Sequence, residues 1–303
     1  LHNKPSNYKL YAKPFTLSSA TTYPKETVMN LLVASNKDPA SINIKEQILK
    51  TYPFQKITQT YRQNPLYTTN IAGKNITLAT LNEESINAQY LPTDFPDAEL
   101  IVFISRHSSQ SGTPTLTVHV PGNFGAAEFG GLPKTVSVAP AVAMQMALKA
   151  LAQMKQKLCL TYEVSYEVTH HGPSLSVPAL FVELGSSALQ WGDQTAAGAV
   201  AYAAMQAITN SPASIGCPVA LGIGGTHYNQ KFTQLALEDK AVFGHMVPKY
   251  AVEHFDRELL AQCIQKTQGN VSVVLLDWKG IKSQEKPAIL SALESTQLRI
   301  EKI

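Results

Sequence analysis

Two uninterrupted apolar runs, Leu100-Ile101-Val102-Phe103-Ile104 and Pro178-Ala179-Leu180-Phe181-Val182, constrain the fold of this chain more than any other feature. A short run with no polar face predicts a strand covered on both sides, as in a sheet lying between helices. Each run ends in residues capable of chemistry. The first continues into Ser105-Arg106-His107, and the second into Glu183-Leu184-Gly185-Ser186-Ser187. Open α/β sheets collect ligands and catalytic groups beyond their strand ends, so a site is expected there.

The rest of the chain reads as an α/β alternation. Met29 to Ser35 is a short buried-strand signal, and Asp38-Pro39 supplies an N-cap and a first-turn proline for a helix with Ile44, Ile48 and Leu49 on one face. Residues 56–92 read as short, partly alternating strands, and Thr115 to His119 as a strand ending in histidine. Pro140 opens a long helix carrying Met144, Leu148 and Leu151. From 160 to 169 the pattern has a period of two. Tyr162, Val164, Tyr166 and Val168 share one face, and Glu163, Ser165, Glu167 and Thr169 the other. That predicts a strand lining a wet crevice or near a sheet edge, with solvated glutamates, of which Glu167 is close enough in sequence to orient His171. Asp193 caps an alanine-rich helix ending near Thr209, and strands at Val219–Ile223 and Val242–Phe243 lead to His227 and His245. A helix over 259–267, a strand over 271–276 and a helix over 289–293 finish the pattern. The expected architecture is a mixed, largely parallel sheet flanked by helices, one domain from 28 to 303 with no long linker. Residues 1–25 hold four lysines and no acid, and residues 1–27 read as a basic arm outside that domain.

Composition narrows the function. Of 303 residues 44% are hydrophobic and 16% charged, which suits a globular protein, and a net charge of +3 permits an RNA partner without requiring one. Cys159, Cys217 and Cys263 are widely spaced with no Cys-x-x-Cys, so buried thiols in a reducing compartment, the cytoplasm, are expected. No apolar run approaches the roughly 18 residues of a membrane span.

Six of the eight histidines, His107, His119, His170, His171, His227 and His245, fall near predicted strand ends. Imidazole and carboxylate are the ordinary ligands of catalytic zinc, which keeps three protein ligands and one open position. Glu183 closes an apolar strand, where a lone carboxylate is costly unless paired or metal-bound. Salt bridges, caps and hydrogen-bonded turns are the plainer alternatives for each of these residues. If the strand continued through His170 and His171 their rings would diverge, so one ion is not expected to take both. Arg106, Lys134, Lys231 and Lys249 lie near the proposed site loops and could meet phosphates, with solvation as their default role. Gly222, Gly224 and Gly225 leave room for close approach of backbone or phosphate.

Several segments, in this order, resemble one family: Ser105-Arg106-His107, His119-Val120-Pro121-Gly122-Asn123-Phe124-Gly125, Glu167-Val168-Thr169-His170-His171-Gly172-Pro173, Phe181-Val182-Glu183-Leu184-Gly185-Ser186, Gly222-Ile223-Gly224-Gly225-Thr226-His227-Tyr228 and Phe243-Gly244-His245-Met246-Val247-Pro248-Lys249-Tyr250. The family is the archaeal and plant type of D-aminoacyl-tRNA deacylase. The resemblance implies a phosphorylase/peptidyl-tRNA-hydrolase-like fold, a Zn2+ cofactor, and hydrolysis of the ester joining a D-amino acid to the 3′ acceptor end of tRNA. On that reading His170, Glu183, His227 and His245 are the expected metal ligands, and Glu183, His171 and His107 the acid–base residues. Gly224 and Gly225 would offer amides to an oxyanion. Arg106, Lys134, Tyr228, Lys231 and Lys249 would contact the tRNA, and Tyr228, Tyr250 and Phe124 are candidate base platforms. A cytoplasmic monomer with no DNA or membrane partner is the accompanying expectation. Thr226, Asn229-Gln230-Lys231 and Val120 depart from the family pattern, which bears on substrate fit. Another metal-dependent hydrolase, a peptidase or amidase, and a non-catalytic tRNA-binding protein are the alternatives.

Overall fold

The two apolar runs lie side by side, paired in parallel with Phe181 opposite Phe103 and Glu183 opposite Ser105. The computed structural model describes residues 28–210, 216–294 and 296–303, so the basic arm at 1–27 lies outside the described residues. The chain opens with β1 (Met29–Ser35), α1 (Pro39–Thr51) and a three-strand stretch, β2 (Gln55–Tyr61), β3 (Asn64–Ile71) and β4 (Lys74–Leu81). There follow α2 (Leu91–Asp94), β5 (Ala98–Arg106), β6 (Thr115–His119), β7 (Gly122–Asn123), β8 (Thr135–Val136) and α3 (Ala141–Lys157). The middle of the chain forms β9 (Glu163–Tyr166), β10 (Ala179–Gly185), α4 (Ala188–Trp191) and α5 (Gln194–Thr209). The last part comprises β11 (Val219–Ile223), α6 (Gln230–Leu237), β12 (Val242–Val247), α7 (Arg257–Gln265), β13 (Val271–Leu276), α8 (Lys286–Glu294) and β14 (Arg299–Lys302).

The larger sheet has the order β2-β3-β4-β1-β5-β10-β6-β9, and the smaller β12-β11-β13-β14. Strands β4, β1, β5 and β10 run parallel, as do all four of the smaller sheet, so the architecture is the mixed, largely parallel α/β expected. Strand β6 is antiparallel to β10, which brings His119 in from the opposite end of the sheet to the one predicted. The alternating stretch forms a strand only from Glu163 to Tyr166, at the sheet edge, because the chain then turns toward the smaller sheet. Glu163 is exposed as expected. Glu167 is not, being fully buried where the smaller sheet covers that face.

Helices α3 and α5 pack on each other, and α3 also touches β6 and β9 of one sheet and β12 of the other. The run of buried alanines in α5 lets these helices approach closely. The three cysteines are unpaired, but only Cys263 is buried. Cys159 is exposed, because it ends α3 in a left-handed turn with φ +52°. Among the described residues no helix is long and apolar enough to cross a membrane.

Asp38 shows how α1 is tied to the site strand. One carboxylate oxygen caps the helix at Ser41 N (3.0 Å), and the other accepts from Arg106 N (2.7 Å) at the end of β5. Burial outweighs these bonds and raises the Asp38 carboxyl from 3.8 to about 6. A folded pKa above the unfolded one gives stability that is complete below the unfolded value and lost as pH rises through the folded one. Between pH 4 and 7.5 the wild type should therefore lose about 3 kcal/mol of unfolding free energy relative to Asp38→Asn, whose profile lacks this component. Urea denaturation of both proteins across that range checks it.

Candidate metal centre

Sheet register assembles the first half of the site. Paired residues share a face, and so do residues two apart on a strand. Phe103, Ser105, Phe181, Glu183, Thr117 and His119 therefore point the same way, with Ser165 beside Thr117 on the neighbouring strand. Phe103 stacks on Phe181 (4.5 Å between centroids), and Phe181 on the His119 ring (5.0 Å, 5° between planes). Ser105 Oγ donates to Glu183 Oε1 at 2.7 Å, so the buried carboxylate keeps one fixed partner from its own sheet. His119 Nε2 lies 3.6 Å from Glu183 Oε1, and neither ring nitrogen of this fully buried histidine has a hydrogen-bond partner.

Glu167 continues the same parity from Ser165 and occupies the middle. Its Oε2 meets His227 Nε2 at 2.8 Å and His170 Nε2 at 3.5 Å, while Oε1 is 3.1 Å from His107 Nδ1. His107 Nδ1 also faces Glu183 Oε2 at 3.5 Å, and its Nε2 meets the Tyr228 hydroxyl. Burial disfavours charge throughout the cluster, yet at His107, Glu167 and Glu183 the mutual attraction prevails. The His107 pKa is raised to about 11, and both glutamates are held below the ordinary carboxylate range by their histidines.

His170 and His171 converge instead of diverging. The strand has ended, and His171 adopts φ +42°, which folds its ring back to 4.3 Å from that of His170. Both rings also lie within 5 Å of His119, at 4.2 and 4.8 Å. A carbonyl only accepts, so His170 Nδ1 donates to Val168 O (2.8 Å) and His171 Nδ1 to Gly172 O (2.7 Å). This fixes Nε2 as the lone-pair atom of each neutral ring, the arrangement found where backbone carbonyls orient metal-ligating histidines. Burial and neighbouring histidines keep them neutral, with His170 well below its usual value and His171 lowered to about 4.

Three overlapping triads could each hold a metal ion: His119, His170 and His171; Glu167, His170 and His227; His107, Glu167 and Glu183. The His119 nitrogens, which make no hydrogen bond, and the lone pairs of His170 and His171 fit a cation of the nitrogen- and oxygen-loving class. Of the expected residues the structure brings together His107, His170, His171, Glu183, His227 and Tyr228. Sequence reasoning gave Glu167 no more than a part in orienting His171 from a solvated face, although its parity with Ser165 and Thr169 was a signal. It also left His119 outside the ligand set, although it shares a face with Glu183.

The remaining expected residues sit elsewhere. His245 lies apart from all three triads, fully buried with Nδ1 3.2 Å from Thr169 Oγ1, and burial lowers its pKa to about 3. The Gly224 amide already donates to Val247 O (2.8 Å), so it is not available to an oxyanion. Gly225 packs against Asn229 and Asp277 beside the start of α6. Arg106 is held by Glu84 (3.0 Å), Lys134 by Asp256 (3.0 Å) and Lys231 by Asp277 (2.6 Å), whereas Lys249 is exposed. Phe124 is core, against Phe255.

Fold and site together define a mixed α/β protein with a buried histidine–carboxylate cluster that could hold a metal ion. The family model for D-aminoacyl-tRNA deacylase matches residues 94–301, and the chain belongs to that family. It is 35% identical over 264 residues to the D-aminoacyl-tRNA deacylase of Pyrococcus furiosus, covering 85% of this chain and 94% of that protein. The Methanosarcina barkeri protein of the same name is 34% identical over 290 residues, covering 94% of this chain and 91% of its own length. A solved crystal structure of a conserved protein of unknown function superposes with a TM-score of 0.80 at 32% identity, covering 90% of this chain and 95% of that one.

Gly185 provides a test of the geometry. A Cβ there would lie 2.6 Å from His107 Cβ and 2.8 Å from its Cδ2, pushing the ring off both glutamates. Gly185→Ala should weaken divalent-metal affinity about 10- to 100-fold with far-UV circular dichroism unchanged, as read by competition with a chromogenic chelator.

Proposed function

We propose that this chain, acting as one unit from residue 28 to 303, hydrolyses the ester of D-aminoacyl-tRNA and releases a free D-amino acid and tRNA. The observation that carries the reading is the pair of His119 ring nitrogens that make no hydrogen bond, beside oriented lone pairs on His170 and His171, in a chain of this family. These three histidines would hold a zinc ion, with Glu167 and His227 completing its surroundings. When bound, zinc supplies a Lewis acid for the ester carbonyl and makes water acidic enough to furnish hydroxide near pH 7.

The chain's own residues account for the proton handling. Glu183 is fixed by Ser105 and faces His107, so its carboxylate can accept a hydrogen bond from the attacking water and orient it without moving. His107 holds a proton between two carboxylates on one side and Tyr228 on the other, and would serve as the donor to the departing ribose oxygen. Apolar cover from Phe181 and Phe103 lowers the local dielectric, so these charges act at greater strength than they would in water. Lys249 is the free cation for the tRNA among the basic residues named above. The reaction is assigned to the cytoplasm and to a monomer acting on the 3′ acceptor end, with no DNA or membrane partner.

Deacylation of D-Tyr-tRNA is the test, with the metal removed and zinc restored. Activity should vanish on chelation and return with zinc, and Glu183→Gln should lower kcat at least about 100-fold. Full turnover by verified metal-free protein would defeat the zinc assignment. Faster cleavage of a peptide panel than of the D-aminoacyl ester would favour a peptidase instead.

A further inference from the structure

Among the described residues only two phenylalanine, tyrosine or tryptophan side chains are exposed, Phe129 at 67% and Tyr250 at 50%. Each belongs to a residue bonded to the histidine cluster or to the residue beside it. The Tyr250 hydroxyl lies 3.2 Å from Nδ1 of His227, whose Nε2 meets Glu167. The Phe129 carbonyl accepts from Gly172 N at 2.9 Å, next in the chain to His171. Singly exposed rings are ordinary on protein surfaces, but the Tyr250 side chain and the Phe129 backbone are both bonded to segments of the same buried cluster.

The loop that presents Phe129 is fixed, so its exposure is a built feature. Asn123 Nδ2 donates to Gly130 O (2.9 Å) and Leu132 O (3.3 Å), and Leu132 N donates to Ser174 Oγ (3.0 Å). Gly131 and Gly172 are in backbone contact, a Cβ on Gly172 falling 2.2 Å from Gly131 N. Tyr250 is likewise positioned, because the preceding Lys249 donates its amide to Gly225 O at 3.0 Å. An exposed ring next to an exposed lysine, with a second exposed ring on a loop bonded to the turn that carries His171, matches single-stranded nucleic acid. There, bases stack on rings and phosphates meet cations.

We infer that Phe129 and Tyr250 form a stacking rim for the unpaired bases at the 3′ end of the tRNA, with Lys249 meeting a phosphate between them and the duplex. The inference rests on the deacylase reading and adds which residues grip the substrate's nucleic-acid end. Two rings near the ester would hold the terminal nucleotide in register with the centre whatever amino acid it carries.

Uncharged tRNA is the probe, intact or trimmed of its unpaired 3′ nucleotides, bound to the zinc-loaded full chain at fixed salt and followed by fluorescence anisotropy. Phe129→Ala and Tyr250→Ala should each weaken binding of intact tRNA roughly 5- to 150-fold while binding of trimmed tRNA stays at the wild-type level. Phe129→Tyr and Tyr250→Phe keep a ring and should bind intact tRNA within about twofold of wild type. Equal loss on both tRNAs, no loss on the intact one, or a Tyr250→Phe defect as large as that of the alanine variant would each overturn the rim. Hydrolysis of D-Tyr-tRNA measured alongside separates the two claims. End-dependent binding without hydrolysis sinks the deacylase reading and supports the rim, whereas hydrolysis without end-dependent binding does the reverse.

Discussion

The buried carboxylate of Glu167 is the constraint on which this structure depends. A charge with no solvent exposure costs several kcal/mol unless it is matched, and here histidines from three separate segments match it. His107 follows β5 of the larger sheet, His170 follows the edge strand, and His227 follows β11 of the smaller sheet. The backbone reinforces the same junction. Val168 N donates to His227 O at 3.1 Å and Thr169 N to Met246 O at 2.9 Å, while Glu167 forms a bridge with Tyr228. Correct union of the two sheets and assembly of the centre are thus one event.

Much of the scaffold was legible because its signals are local. Asp38-Pro39 and Asp193 each announce a helix, and both aspartates make the predicted cap bonds. The apolar runs announce β5 and β10, the first buried from Ile101 to Ser105 and the second throughout. Helix α6 had a local signal that went unread, since Asn229 caps it by accepting from Phe232 N. Strand β14 had none, because all four of its residues are exposed and their order shows no period.

The site was harder to read because its decisive facts are not local. Alternation correctly put Glu167 on the face of Ser165 and Thr169, but nothing in a strand's own sequence tells whether water or a second sheet covers that face. The pairing of His170 with His171 hinges on one left-handed residue, and strand parity fails there. The separation of His245 has the same origin. It lies within β12, two residues before the strand's end, and so stays in the interior against Thr169 and does not reach the crevice.

Gly131 and Gly172 meet through backbone alone, so the segment that carries Phe129 and the turn that carries His171 are joined without any side chain passing between them. Such a joint transmits position and is indifferent to composition. The outer loop can exchange its side chains, and with them its taste in ligands, while the imidazoles behind it keep their place. The two glycines thereby separate what the protein grips from how it cuts, a modularity that the histidines themselves could not provide.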